Sequence, residues 1–303
     1  MLHCDQNQLT NVDVSNNTLL TFLHVGSNQL TDLDVSQNTV LTKLYVGFNS
    51  LDSLDVSYNT ALTHLYVNDN GSLEDLDLGE NAVLSNLNFN GNQLDSLDLS
   101  PYPSLVHIDG CCNPMMVYLN LNNLVNLNWA NVTSNAITTL ELSNNTSLTN
   151  FYCSNNQLES LDVSDAVALN SFACEDNQLT YLNMKNGITD QLTDFNATNN
   201  YLTCIGTLDP GYATENWTYE NGNIDEGVYF SEFCPSVEPQ IMSVTDVPED
   251  QGGRVYVEFL SSVFDHPEAT NQSYTVLRMD ALEDSSAWVV VASGDAFGDP
   301  SYT

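Results

Sequence analysis

The chain has 303 residues and only four Lys and Arg against forty Asp and Glu, a formal net charge of -36. So few cations exclude binding to nucleic acid by phosphate neutralisation, and anionic membrane surfaces repel such a chain. A hydrophobic content of 42% suits globular structure, the length leaves room for two domains, and no apolar run is long enough to span a membrane.

No secretory signal opens the chain. Met1-Leu2-His3-Cys4 already matches the middle of a repeat, with Leu2 at the place of Leu23 and Cys4 at that of Val25. A start inside a repeat is expected of a piece of a longer precursor, so the missing signal carries no information about location.

Leu20–Leu41, LTFLHVGSNQLTDLDVSQNTVL, defines the unit. Each half reads L-x-x-L-x-[V/L]-x-x-N. The first-half asparagine recurs as Asn7, Asn28, Asn49, Asn70, Asn92, Asn113, Asn135, Asn156, Asn177 and Asn200, in steps of 21 to 23 residues. Such a period predicts a solenoid. Within each half, L-x-L places two apolar residues on one side of a strand. A single turn cannot bury that stripe, whereas stacked turns share it. The asparagine carboxamides are predicted to form a structural column that satisfies backbone groups where the chain turns. In the second half Asn17, Asn38, Asn59, Asn81 and Asn145 keep the pattern, while Tyr102, Leu124, Ala166 and Gly187 replace Asn. Extra residues at Gly71-Ser72, at Pro114-Met115 and near Asn186-Gly187-Ile188 are expected to bulge without breaking the stack. SPYPSL and an inward Gly110 predict a local distortion.

The pattern resembles the short bacterial form of the leucine-rich repeat family, LTxLxVxxNQLTxLDVSxNTx, over residues 1 to about 203. The resemblance implies a mainly β fold, a solenoid with parallel sheets on two faces, in which the concave sheet is the usual ligand surface. The solenoid is assigned to 1–201 and a cap to 202–236. That segment keeps LTCI (Leu202 to Ile205), Asn216-Trp217 and Cys234, and looks like the terminal cap of bacterial surface proteins of this family. Its aromatics Tyr212, Trp217, Tyr219, Tyr229, Phe230 and Phe233 read as cap packing. Residues 237–303, with the phrase VTDVPEDQGGRVYVEF and four β-rich runs, resemble the front of a fibronectin type III-like or immunoglobulin-like sandwich. Such a domain needs about 100 residues, so it is expected to be cut short.

Cys4, Cys153 and Cys174 fall in the inward valine column and read as buried thiols, a Cys153–Cys174 disulfide being left open. Cys111-Cys112 reads as an idiosyncratic turn, with a reactive or metal-binding pair as the lesser alternative. Cys204 and Cys234 are predicted to form a disulfide that staples the cap, which implies an oxidising, extracellular or cell-surface setting.

The two outward columns of the first-half sheet are legible directly. One runs His3, His24, Tyr45, Tyr66, Asn88, Asp109, Asn131, Tyr152, Ala173, Asn196. The other runs Phe22, Lys43, His64, Asn86, His107, Trp129, Asn150, Ser171, Asp194. Phe22, His24, Lys43, Tyr45, His64, Tyr66, His107 and Trp129 are therefore predicted to form a binding patch for a protein or glycan, against the bland reading that strands favour such residues anyway. No column sets two histidines beside an acid, His3 and His24 being the nearest pair, so a zinc site is not expected. The second-half column Asp13, Asp34, Asp55, Asp77, Asp98 is a weak Ca²⁺ candidate, diffuse counterions being the simpler expectation. No nucleophile elbow, metalloprotease helix, phosphate loop or CxxC pair is present, and no cofactor or enzymatic activity is expected. The function expected is a secreted or cell-surface recognition module. The alternatives are a structural stalk or adhesin segment without a specific ligand, and, more remotely, ice binding through Thr21, Thr42 and Thr63.

Overall fold

The computed structural model describes residues 1–232 and 234, and beyond them the backbone of five strands. The chain divides into two units, Met1–Glu232 and Phe233–Thr303. In the second unit Gln240–Asp246 pairs antiparallel with Val255–Leu260, which pairs with Ser301–Tyr302, and Ser273–Met279 pairs with Trp288–Asp295. The two-sheet sandwich expected there, its connections and Phe233 lie outside the described residues.

In the first unit each turn contributes one three-residue strand to a ten-stranded parallel sheet, from Leu2–His3 and Phe22–His24 to Ser171–Ala173 and Asp194–Asn196, the first strand having two residues. Register is one turn per strand, so Leu23 faces Leu44 and Leu44 faces Leu65. The central residue of each strand from Phe22–His24 onward points inward and is buried, with Leu23, Leu44, Leu65, Leu87 and Ile108 fully shielded. Burial of each such side chain is worth roughly 1.5–3 kcal/mol against exposure, and the stacked column gains it at every turn.

The turn after each strand is held by the asparagine. Nδ2 of Asn49 donates to the carbonyl of Val46 at 2.9 Å and to that of Val25, one turn earlier, at 3.0 Å. Its Oδ1 accepts from the Leu30 amide at 3.0 Å. Asn28, Asn156 and Asn177 repeat all three contacts. Where an extra residue has entered, the donor changes but the rung persists. Asn92 and Asn135 accept from the amides of Asn70 and Asn113 instead of from a leucine. Asn70 itself still accepts from Leu51.

The residue before each of these asparagines is in the left-handed region. Gln6, Ser27, Phe48, Asp69, Gly91, Cys112, Ser134, Asn155, Asp176 and Asn199 have φ between 53° and 66°. No glycine signature announces this, since nine of the ten are other residues. The closed turn that follows is sustained by the rung, which offsets the roughly 1–2 kcal/mol that a non-glycine residue loses in that region.

The second-half sheet is not continuous, as the broken asparagine pattern of that half leads one to expect of a face less uniform than the first. It falls into Ser53–Asp55 with Asp75–Asp77, then Ser96–Asp98, Tyr118–Asn120 and Thr139–Glu141, then Ser160–Asp162, Tyr181–Asn183, Cys204–Gly206 and Tyr229–Ser231. The two halves also turn differently after the strand: the Asn28 amide continues to the Phe48 carbonyl of the next turn, whereas the Asn38 and Asn59 amides close on the Val35 and Val56 carbonyls three residues back. Buried Oδ1 atoms without a partner fall mainly in the second half, at Asn38, Asn59 and Asn81, and once in the first, at Asn113. At the place assigned to Gly187 it is Asn186 that reaches the Val163 carbonyl, at 3.4 Å, so one rung more survives than the alignment of the text suggests.

The distortion expected around SPYPSL and Gly110 is absent from the sheet, which runs in register through Asn86–Asn88, His107–Asp109 and Trp129–Asn131. Two substitutions compensate. Phe89 stands where other turns have valine, and a Cβ on Gly110 would lie 2.1 Å from its Cζ, so the glycine vacates the space that the ring fills. Tyr102 is buried in the place of an asparagine and donates its hydroxyl to the Gly79 carbonyl at 2.9 Å.

Among the described residues one helix occurs, Pro210–Asn216, after the last turn. Asp209 caps it by accepting from the Tyr212 amide, and Pro210 opens it. Trp217 and Phe230 are buried, and the inward rings Phe151, Phe172, Phe195, Trp217 and Phe230 succeed one another at 4.7 to 6.0 Å. Tyr219 and Tyr229 are exposed, so only part of the aromatic content of this segment packs as expected. Asp225 supplies the next rung in place of asparagine, accepting from the amides of Asn199 and Asn200 at 2.9 and 3.0 Å. Cys204 and Cys234 are disulfide-bonded, and Cys4, Cys111, Cys112, Cys153 and Cys174 are free thiols.

Two stability outcomes follow. Asn49→Asp keeps the shape but removes both donors, and should cost about 2–4 kcal/mol in denaturant unfolding at neutral pH. Gly110→Val should lower the melting temperature, and Phe89→Val in the same chain should restore most of it; a double variant no better than the single one would contradict the packing described.

Candidate functional site

The eight residues assigned to the patch all lie half-buried on one face of the ten-stranded sheet. They form two islands rather than one. In the first, His3 lies 4.8 Å from Phe22, Phe22 and His24 meet the edge of Tyr45 at 5.2 and 5.5 Å, and Tyr45 stacks on Tyr66 at 4.6 Å with 8° between planes. Lys43 stands between Phe22 and His64 in register, and His64 is 6.5 Å from Tyr66. In the second, His107 stacks on Trp129 at 4.2 Å and 4°, and Trp129 meets Tyr152 at 6.1 Å. The strand Asn86–Asn88 separates the islands with two carboxamides.

Sequence reasoning missed two features. Tyr152 belongs to the second island, where its hydroxyl lies 3.0 Å from the Ser171 hydroxyl. Asp109, beside His107, is clamped by three amides: Asn90 at 3.0 Å, Asn88 at 3.3 Å and Asn131 at 3.4 Å. Both stood in the outward column, and only the run of Asn around Asp109 hinted that the acid would be held.

Electrostatics on the face follow from partial burial. Burial lowers the affinity of His64 for a proton, and neighbouring Lys43 lowers it further. His107 is likewise held below the usual imidazole value by burial, with Asp109 opposing in part. Both rings are therefore neutral at physiological pH. Burial, and secondarily Tyr66, raises the Tyr45 phenol.

The acidic column is a set of turns. Asp13, Asp34, Asp55, Asp77 and Asp98 each accept from the amide two residues on, at 2.8 to 3.0 Å. Hydrogen bonds from Ser15 and Ser36 hold the Asp13 and Asp34 carboxyls below their usual range. Of the five, Asp55 and Asp77 share a strand pair, whereas Asp13 and Asp34 lie outside the strands. Thr42 and Thr63 donate their hydroxyls to the carbonyls of Thr21 and Thr42 at 2.8 and 3.0 Å, which commits that column to the backbone.

Cys153 and Cys174 are free, fully buried, and pushed far above the usual thiol range, by burial first and nearby Glu175 also. Cys111 and Cys112 lie with sulfurs 2.8 Å apart, and burial together with this contact pushes Cys111 up to about 12. His3 and His24 are register neighbours, and Asp5 brings a carboxylate oxygen to 3.3 Å from His24 Nδ1. The expectation that no acid joins this pair is corrected: Asp5 comes from beyond the strand, outside the columns from which the face was read.

The repeat and its stacked parallel strands give this chain the architecture of a leucine-rich repeat solenoid. The functional domain of InlJ from Listeria monocytogenes, described as including a cysteine ladder, is 28% identical with a TM-score of 0.51, over 67% of this chain and 50% of that one. This chain thus spans half the length of that domain. In its own inward column, Cys153 and Cys174 are the one adjacent cysteine pair, and valine fills several other turns. An internalin (InlF) from Listeria monocytogenes is 18% identical with a TM-score of 0.29, over 76% and 86% of the two chains. A leucine-rich repeat protein from Leptospira interrogans is 16% identical with a TM-score of 0.36, over 67% and 73%. No family model and no curated protein matches the chain. Among the described residues no helix is long and apolar enough to cross a membrane.

The His107–Trp129 stack gives a direct readout. The folded-state proton affinity of His107 lies below the unfolded imidazole value near 6.5, so the unfolded chain takes the proton first. Its contribution is neutral above that pH and destabilising as pH falls through and below it. Trp fluorescence should show a His107-dependent step with a midpoint below 6.5, absent in His107→Phe.

Proposed function

We propose that this chain is a secreted or cell-surface recognition module that holds a protein or glycan partner against the first sheet and performs no reaction itself. The observation that carries the reading is the pair of half-buried aromatic islands, on one rigid face, flanking the clamped carboxylate of Asp109. Rings already packed against one another lose little freedom on binding, and their exposed edges offer large contact area with polar tips. The carboxylate and a net charge of -36 favour a partner with basic groups, or a neutral glycan that stacks on the rings. The disulfide-bonded state of Cys204 and Cys234 supports an oxidising compartment.

A second reading is a stalk or adhesin segment with no specific ligand. It draws on the acidic column, whose carboxylates each leave one oxygen free for counterions or loosely held Ca²⁺. An array of glycans and secreted proteins probed with the full chain separates the two. A recognition module should give a discrete hit, weakened roughly tenfold or more by Tyr45→Ala, Tyr66→Ala or Trp129→Ala. Tyr58→Ala, exposed and off this face, should leave it unchanged. Binding indifferent to all three ring variants would remove the face from consideration.

A further inference from the structure

The first two turns bring together His3, Asp5 and His24, and one ligating atom from each lies within 4.8 Å of the other two. We propose that these three side chains bind a divalent transition metal of the Zn²⁺ type, with two imidazoles, one carboxylate and a fourth position open to solvent.

The placement is built by the fold. Parallel register sets His3 and His24 side by side, with ring centroids 6.0 Å apart. The strand then ends, and Asp5 turns back so that Oδ1 comes to 3.3 Å from His24 Nδ1. Gly26 gives the His24 ring the room it occupies, since a Cβ there would stand 3.2 Å from Nε2. Phe22 packs 4.8 Å from His3 and 6.4 Å from His24, and Tyr45 meets His24 edge-on. The rings are thus partly ordered before any ion arrives, which lowers the entropy lost on binding.

The donor set selects the ion. Two imidazoles and a carboxylate suit Zn²⁺ and its first-row neighbours, whereas Ca²⁺ and Mg²⁺ take oxygen ligands. A tetrahedral ion with bonds of about 2.0–2.1 Å draws its ligands to roughly 3.3 Å apart. His3, the exposed member, has the freedom to close that distance. The large negative charge of the chain raises the local concentration of divalent cations. A simple surface ion pair between Asp5 and protonated His24 is the alternative, and it gives His3 no role.

The test is a titration of the full, untagged, metal-free chain with Zn²⁺ against a chromophoric chelator, with Co²⁺ absorption reporting coordination geometry. No partner is present, so the outcome is independent of the recognition reading. One equivalent of Zn²⁺ should bind, Co²⁺ should give the absorption of a four-coordinate site, and the melting temperature should rise with Zn²⁺. His3→Ala and His24→Ala should each weaken binding at least tenfold, and Asp5→Asn should weaken it measurably. Cys111→Ser with Cys112→Ser should leave it intact. Absence of a stoichiometric site, affinity unchanged in the histidine variants, or binding lost in the dithiol variant instead would overturn the proposal. His3 is exposed at the sheet edge, so its variant keeps the test decisive if His24→Ala perturbs the fold.

Discussion

A chain that turns sharply inside a stack of identical turns directs carbonyls into a space where no strand can meet them. The asparagine carboxamide resolves this, because it alone among short side chains offers two donors and an acceptor in one plane. Asn49 ties its own turn to the one before it through both ends of the amide. Every other property of the first unit depends on that link. It sustains the left-handed residue before it, keeps successive strands in register, and so makes residues 21 positions apart neighbours on the sheet. The cap obeys the same requirement with a different group, Asp225 accepting the last amides where no further asparagine follows.

Register of this kind turns a repeating text into a surface. The inward column carries stability, and the outward columns are left free to vary, which is where His, Tyr and Trp accumulate. The face divides because variation is local: Asn86 and Asn88 interrupt the rings, and Asp109 is gathered in by three amides from the two neighbouring turns. A face assembled from rigid three-residue strands places side chains more reliably than loops would.

The opposite side turns differently: asparagine amides such as Asn38 and Asn59 close on the carbonyl three residues back instead of reaching the next turn, and the strands there fall into three short sheets. Each aspartate of the column accepts from the amide two residues ahead, a local turn that Asp favours. The side whose asparagine column is broken in the sequence is also the side whose sheet is broken in the structure.

The period alone determined the solenoid, its inward column and the membership of the sheet face, because translation by one turn is the only symmetry involved and it is written in the text. Leu44, Tyr45 and Asn49 could be assigned their directions from spacing. What lies across columns could not. The match of Phe89 to Gly110 depends on side-chain volume between adjacent turns, and Asn186 took the rung assigned to Gly187 because an inserted residue shifts the chain locally. Asp5 meets His24, and Asp225 meets Asn200, through the paths of segments that leave the strand register. A period specifies which residues share a column; only packed side chains and the course of the turns decide which of them touch.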